Sequence, residues 1–214
     1  MSLFDTSGGV EPEEPVSTGK TSMRCHTVRG KQIFDVRRFN SEATLLANAP
    51  WHFERGGTYH VISGGDVDSL TFLRHVVRQQ HLAFCLVSSW CYGVEDVTEM
   101  GSWIERGAVD RFDFYCGEIA KASYALCASE LGDIARRGGG RLGVFRNHSK
   151  VMCFYGDRFD GVITSSANVN TNPRTENTVI TCVTEIADFY KAFFDDIHPF
   201  NHKDFEEFKP WTRN

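Results

Sequence analysis

Five polar residues between positions 148 and 176 have types and spacings that suit chemistry at phosphorus. His148 and Lys150 lie two apart, Ser166 and Asn168 repeat that spacing, and Glu176 follows. Side chains alternate faces along a strand, so residues two apart share a face. A strand over residues 144–154 therefore points His148 and Lys150 to one side. A phosphodiester resists attack because its negative charge repels a nucleophile. A site must neutralise that charge, supply a nucleophile and protonate the leaving oxygen. An imidazole can attack phosphorus, and an ammonium can hold a non-bridging oxygen as a point charge. The Asn168 amide and the Ser166 hydroxyl can donate to the remaining oxygens. Glu176 is expected to accept from one nitrogen of His148 and free the other to react.

The surrounding pattern supplies elements to carry these residues. Strands are predicted over 31–36, 58–62, 81–88, 112–116, 144–154, 161–164 and 177–183. Helices are predicted over 68–80, 95–106, 123–137 and 185–196, with Asp66 as N-cap of the first and Gly107 closing the second. The run Leu82-Ala83-Phe84-Cys85-Leu86-Val87 is apolar throughout, as in a central strand covered on both faces. Helices alternate with strands early in the chain and strands cluster late. The expected fold is α/β, a three-layer αβα sandwich with a mixed sheet. Residues 1–22 are rich in Gly, Ser, Pro, Thr and Glu and read as a tail. Residues 23–214 read as one catalytic domain.

The 214 residues carry a net charge of −5, which excludes a protein that coats nucleic acid through overall charge but permits a local basic groove. Arg136, Arg137, Arg141, Arg146 and Arg174 flank the polar cluster and are candidates for such a rim. No apolar run is long enough to span a bilayer, and the N-terminus lacks a signal-peptide pattern. The seven cysteines form no C-x-x-C pair and sit mostly in apolar runs. They read as buried thiols in a reducing compartment: cytoplasm, or host cytoplasm for a phage protein. His198 and His202 are four apart, but Pro199 intervenes and no acidic motif completes a metal site. No metal and no cofactor is expected.

His148-Ser149-Lys150, Ser165-Ser166-Ala167-Asn168 and Glu176-Asn177 together resemble the phospholipase D superfamily, whose HxK(x)4D motif precedes G-S-x-N and a glutamate. The likeness is clearest over residues 141–183. It implies a phospholipase D-like fold and metal-independent cleavage of a phosphodiester through a phosphohistidine. His148, Lys150, Asn168 and Glu176 become the catalytic set, with Ser166 and Ser165 contacting substrate. The family aspartate falls on Tyr155, leaving Asp157 as the nearest substitute, and Ser165 replaces the family glycine. The other seven histidines have no lysine two residues on, so the chain holds one motif copy. By resemblance, a homodimer then brings a second His148 to a shared site.

Trp90 and Tyr92 follow the central strand, where ligands bind in open α/β sheets, and are candidates to stack on substrate. The leading expectation is an endonuclease acting on DNA or RNA, with no membrane partner. The alternatives are a phospholipase D-type lipid hydrolase and a catalytically silent binding or regulatory protein on the same fold.

Overall fold

A computed structural model describes residues 26–29, 33–39, 52–63, 67–170 and 174–213. The strands are β1 (His26–Arg29), β2 (Ile33–Phe39), β3 (Thr58–Ser63), β4 (Leu82–Ser89), β5 (Phe112–Gly117), β6 (Leu142–Phe145), β7 (Val151–Gly156), β8 (Asp160–Ser165) and β9 (Glu176–Thr181). The helices are α1 (Leu70–Gln79), α2 (Val94–Glu105), α3 (Ala120–Ser123), α4 (Ala125–Arg137) and α5 (Thr184–Asp195), with a 3-10 turn at His202–Phe205. Among the described residues the strands form one sheet in the order β1-β2-β3-β9-β8-β7-β4-β5-β6. The pairs β2–β3, β4–β5 and β5–β6 are parallel and the rest antiparallel. The mixed sheet carries helices on both faces, so the α/β three-layer architecture expected from the sequence is the one observed.

Each face has its own core. On one side α1, α2 and α4 bury Leu70, Leu73, Val76, Val97, Met100, Trp103, Leu131 and Ile134 against Val87, Phe112, Phe114 and Ile163. On the other, α5 lays Ala187 and Phe194 over Leu86, Tyr115, Cys153, Tyr155 and Val162. Strand β4 feeds both cores, which is why its apolar residues run without alternation. The six described cysteines are buried and free, as expected of core thiols. Among the described residues no helix is long and apolar enough to cross a membrane.

One sequence expectation changes here. The predicted strand over residues 144–154 is two strands. β6 pairs with β5 at the sheet edge, whereas β7 lies three places inward between β4 and β8. Residues 146–150 cross the end of the sheet between them. The cause is polar: Asn147 is buried at 5 % exposure and takes its partners from β4 and β5, so the extended run breaks there. Asp66 and the tail over 1–22 lie outside the described residues. The acceptor at the start of α1 is Asp68, whose Oδ1 takes the Thr71 N–H at 2.9 Å.

The C-terminal segment closes the second core. Arg141 is buried and donates to the Phe194, Asp195 and Ile197 carbonyls, satisfying the last turn of α5. Trp211 stacks on fully buried Phe84 at 4.9 Å and 7°, and Arg213 pairs with buried Asp160 at 2.5 Å. Trp211→Ala removes the cover over Phe84 and is expected to cost about 2–3 kcal/mol. Urea unfolding checks it: the midpoint falls while the slope with denaturant holds.

Candidate active site

The sheet order explains how distant segments meet. β4 and β8 end where β7 and β9 begin, because β4 and β8 both run antiparallel to β7, and β9 runs antiparallel to β8. Trp90 follows β4, Lys150 precedes β7, Ser166 follows β8 and Glu176 opens β9. Together with Val67, His148, Ala167, Asn168, Asn170 and Arg174 they line one cleft of about 140 Å³. The loops after β4 and β8 are tied by the Gly93 N–H donating to the Val169 carbonyl at 2.7 Å.

His148 is exposed and Lys150 half-buried. The Lys150 ammonium lies 3.0 Å from His148 Nδ1 and donates to the His148 carbonyl at 2.7 Å. The shared face expected of these two residues is present, although they sit in the crossing segment and not within a strand. Desolvation by burial holds the Lys150 ammonium below the ordinary lysine range, opposed by nearby Cys91 and Glu176.

Glu176 has a different partner from the one expected. Its carboxylate accepts from the Ser166 hydroxyl, and Ser166 Oγ in turn accepts the Asn177 N–H at 3.0 Å. The turn after β8 folds back on β9 through the Ser166 N–H and the Asn177 carbonyl, and so brings this serine to the carboxylate. Glu176 therefore orients Ser166 within this chain and not His148. The Ser89 hydroxyl is 3.5 Å from Asn168 Oδ1 and accepts the Val169 N–H at 3.0 Å, which fixes the loop that carries Asn168.

The two aromatic candidates separate. Trp90 lines the cleft, with its ring 5.5 Å from the His148 ring at 51°. Tyr92 is buried at 3 % and donates to the Val87 and Tyr115 carbonyls, so it joins β4 to β5 and does not reach the cleft. Ser165 also leaves the substrate-contact set. Its hydroxyl donates to the Asn177 carbonyl and accepts the Ala167 N–H, which shapes the loop. Asp157 sits at the opposite end of the sheet, 3.4 Å from His81. Tyr155, at the family aspartate position, donates to Asp188. The buried carboxylate of that region is Asp160, which accepts from the Gly156 N–H, Thr184 and Arg213.

The expected arginine rim is smaller. Arg136 pairs with Asp133, Arg137 with Glu105, and Arg141 is spent on α5. Arg174 lines the cleft, and Arg146 stands exposed two residues before His148. Asn170 is a lining residue that sequence reasoning missed; its place two residues beyond Asn168 was the available signal. Among the described residues no three His, Cys, Asp or Glu side chains converge as a metal site requires.

No family model and no curated protein matches the sequence. Among the solved structures that match is a polyphosphate kinase from Porphyromonas gingivalis. It is 16 % identical, with a TM-score of 0.47 over 72 % of this chain. The match spans about a quarter, 26 %, of that chain's length. At this level of similarity the match does not bear on the chemistry of the cleft.

Gly117, at the end of β5, leaves the room Trp90 needs. A Cβ there would lie 2.5 Å from Trp90 Cδ1 and 2.9 Å from the Asn147 carbonyl. Gly117→Ala is expected to push the indole outward and shift its fluorescence to longer wavelength. The same substitution made in a Trp90→Phe background should show no such shift, which assigns the signal to Trp90.

Proposed function

We propose that this cleft cleaves phosphodiesters without a metal, through a phosphohistidine, in a homodimer that contributes a second His148, and that the substrate is DNA or RNA. One observation carries the reading: the Lys150 ammonium stands 3.0 Å from the His148 ring inside a cleft whose other polar lining is Ser166, Asn168, Asn170, Arg174 and Glu176. That set offers a nucleophile, two cations and several donors around a space of phosphate dimensions.

In this scheme one ring nitrogen of His148 attacks phosphorus and a P–N bond forms. The P–O bond to the leaving group breaks, and the leaving oxygen takes its proton from the imidazolium of the second chain's His148. That imidazole, now neutral, removes a proton from water as the water oxygen attacks phosphorus. The P–N bond breaks and both histidines return to their starting state. Lys150 and Arg174 offset the charge of the non-bridging oxygens, and Asn168 and Asn170 donate to them. Glu176, by accepting from Ser166, turns the serine's lone pairs toward the Asn177 N–H. Its contribution is to fix the loop that carries Asn168. Trp90 forms the wall beside the nucleophile, against which a nucleobase can stack.

A second reading, hydrolysis of a phospholipid, has one observation in its favour. Ile186, Phe189 and Phe193 form an exposed apolar row on α5, with Phe189 72 % exposed. The acidic residues on the same helix, Glu185, Asp188 and Asp195, disfavour an anionic lipid surface.

The test incubates the purified protein with plasmid, single-stranded DNA, RNA, phosphatidylcholine vesicles and bis-p-nitrophenyl phosphate, all with EDTA. Turnover of nucleic acid that survives EDTA, and that falls on the order of 10³-fold or more in His148→Ala, is the expected result. Turnover of vesicles alone favours the lipid reading, and no turnover of any diester leaves a silent binding protein. Mass measurement under light scattering should give a dimer; a monomer at assay concentration overturns the shared site.

Lys150 adds a pH dependence. Its cation is fully present well below its pKa and is lost as pH rises through it, and burial lowers that pKa. The alkaline limb of the rate profile is therefore expected below the ordinary lysine value of about 10.5. Lys150→Arg keeps the charge at all accessible pH, so its profile should lose that limb even where its rate is lower.

A further inference from the structure

Asn147 is nearly inaccessible, at 5 % exposure, yet it immediately precedes the exposed His148. Its amide nitrogen donates to Ser88 Oγ at 2.9 Å and to the Tyr115 carbonyl at 3.1 Å. Its amide oxygen accepts the Ser149 N–H at 3.0 Å and the Ser149 hydroxyl at 2.7 Å. Ser149 Oγ and Ser88 Oγ are themselves 2.7 Å apart, and Ser88 is fully buried. Both chain neighbours of His148 are thus bound to the ends of β4 and β5, while the histidine between them projects into the cleft.

Lys150 is held by a different contact. Its carbonyl accepts the Ser165 N–H at 3.0 Å, which makes it the first rung between β7 and β8. The two halves of the H-x-K pair are therefore fixed by separate anchors, one on β4 and β5 and the other on β8.

We infer that Asn147, with Ser88 and Ser149, is a positioning group that sets the place of the His148 ring by holding its backbone on β4 and β5, whereas the backbone of the phosphate-holding Lys150 is held on β8. This rests on the phosphodiesterase reading for its kinetic consequence, though its geometric content stands without it. A nucleophile displaced by about 1 Å loses on the order of 100-fold in rate. Substrate binding in this reading depends on the side chains of Lys150, Asn168 and Arg174, none of which is a hydrogen-bond partner of Asn147, Ser88 or Ser149 in the network described. Loosening the network should lower kcat and spare KM.

The experiment compares wild type with Ser149→Ala, Ser88→Ala, the double variant and Asn147→Ala. Ser149→Ala removes hydroxyl contacts from a half-buried site and retains the backbone bond to Asn147, so it keeps the network testable should Asn147→Ala fail to fold. The expected result is a fall in kcat of roughly 10- to 100-fold with KM held within about twofold. The double variant should lose less than the product of the two single losses, because both serines act through one network. In parallel, nitrogen-15 NMR of the histidine rings should show the His148 signals shifted and broadened in Ser149→Ala while those of His81, at the far end of the sheet, stay in place. A rise in KM at constant kcat, or unchanged His148 ring signals in every variant, overturns the inference. If wild type turns over no diester, the phosphodiesterase reading fails, and the ring signals alone decide the positioning role.

Discussion

The crossing of residues 146–150 over the end of the sheet is the constraint on which the cleft depends. β6 lies at the edge and β7 lies inside β4, so the chain must pass across the ends of β5 and β4 to continue. A backbone crossing there leaves buried N–H and C=O groups that need partners, and an unmet one costs about 1–3 kcal/mol. The Asn147 amide resolves this with one side chain, using two donors and a twice-bonded acceptor. Tyr92 assists from below, since its hydroxyl shares the Tyr115 carbonyl with Asn147 and also holds the Val87 carbonyl. The geometry that folds the chain is the geometry that presents His148.

The same crossing dictates its surroundings. The Asn147 carbonyl lies so close over Gly117 that a Cβ there would meet it at 2.9 Å, and the space left by the glycine is taken by the indole of Trp90. Trp90 then meets the His148 ring from the side. On the opposite wall, Ser165 and Ser89 are consumed in shaping the loop that carries Ser166, Asn168 and Asn170. Cleft-lining side chains thus alternate with anchoring residues along each segment: Asn147, His148, Ser149, Lys150; and Ser165, Ser166, Ala167, Asn168. A site with its polar groups on anchored strand ends needs little reorganisation when charge develops, which is the condition for electrostatic stabilisation.

The element types were legible because the apolar periodicity is strong. The β4 run, the amphipathic α1 and α4, and the glycines that close α2 and α4 sit where the residue patterns put them. The cluster of His148, Lys150, Asn168 and Glu176 was legible because the spacing of two and the order of segments both survive folding. What escaped was decided by contacts between segments far apart in sequence. The break between β6 and β7 depends on Ser88 and Tyr115, some 30 to 60 residues upstream of Asn147. Tyr92 reads as a loop aromatic until its hydroxyl finds two strand carbonyls. Glu176 reads as a partner for His148 until the turn after β8 brings Ser166 to it. Arg141 reads as a surface cation until the end of α5 arrives over it. In each case the residue type announced a polar partner, and only the tertiary fold chose which one.

The acidity of the chain and an anionic substrate are compatible because the relevant field is local. Screening at physiological salt confines an exposed charge to a range of about 8 Å. Within the cleft the charged lining is Lys150 and Arg174 against Glu176, beside the His148 imidazole. Distant arginines and acids largely cancel one another in pairs, as Arg136 does with Asp133 and Arg137 with Glu105. Arg74 likewise bridges Asp96 and Glu99 between α1 and α2. Burial pushes the Asp96 carboxyl up to about 7, strengthened by nearby Asp68 and opposed by Arg74, so near neutral pH that cluster carries less negative charge than its acids suggest. A net charge of −5 spread over the rest of the surface therefore sets how the molecule behaves in bulk. The charged neighbours of the His148 ring within the cleft are instead half-buried Lys150, exposed Arg174 and the Glu176 carboxylate.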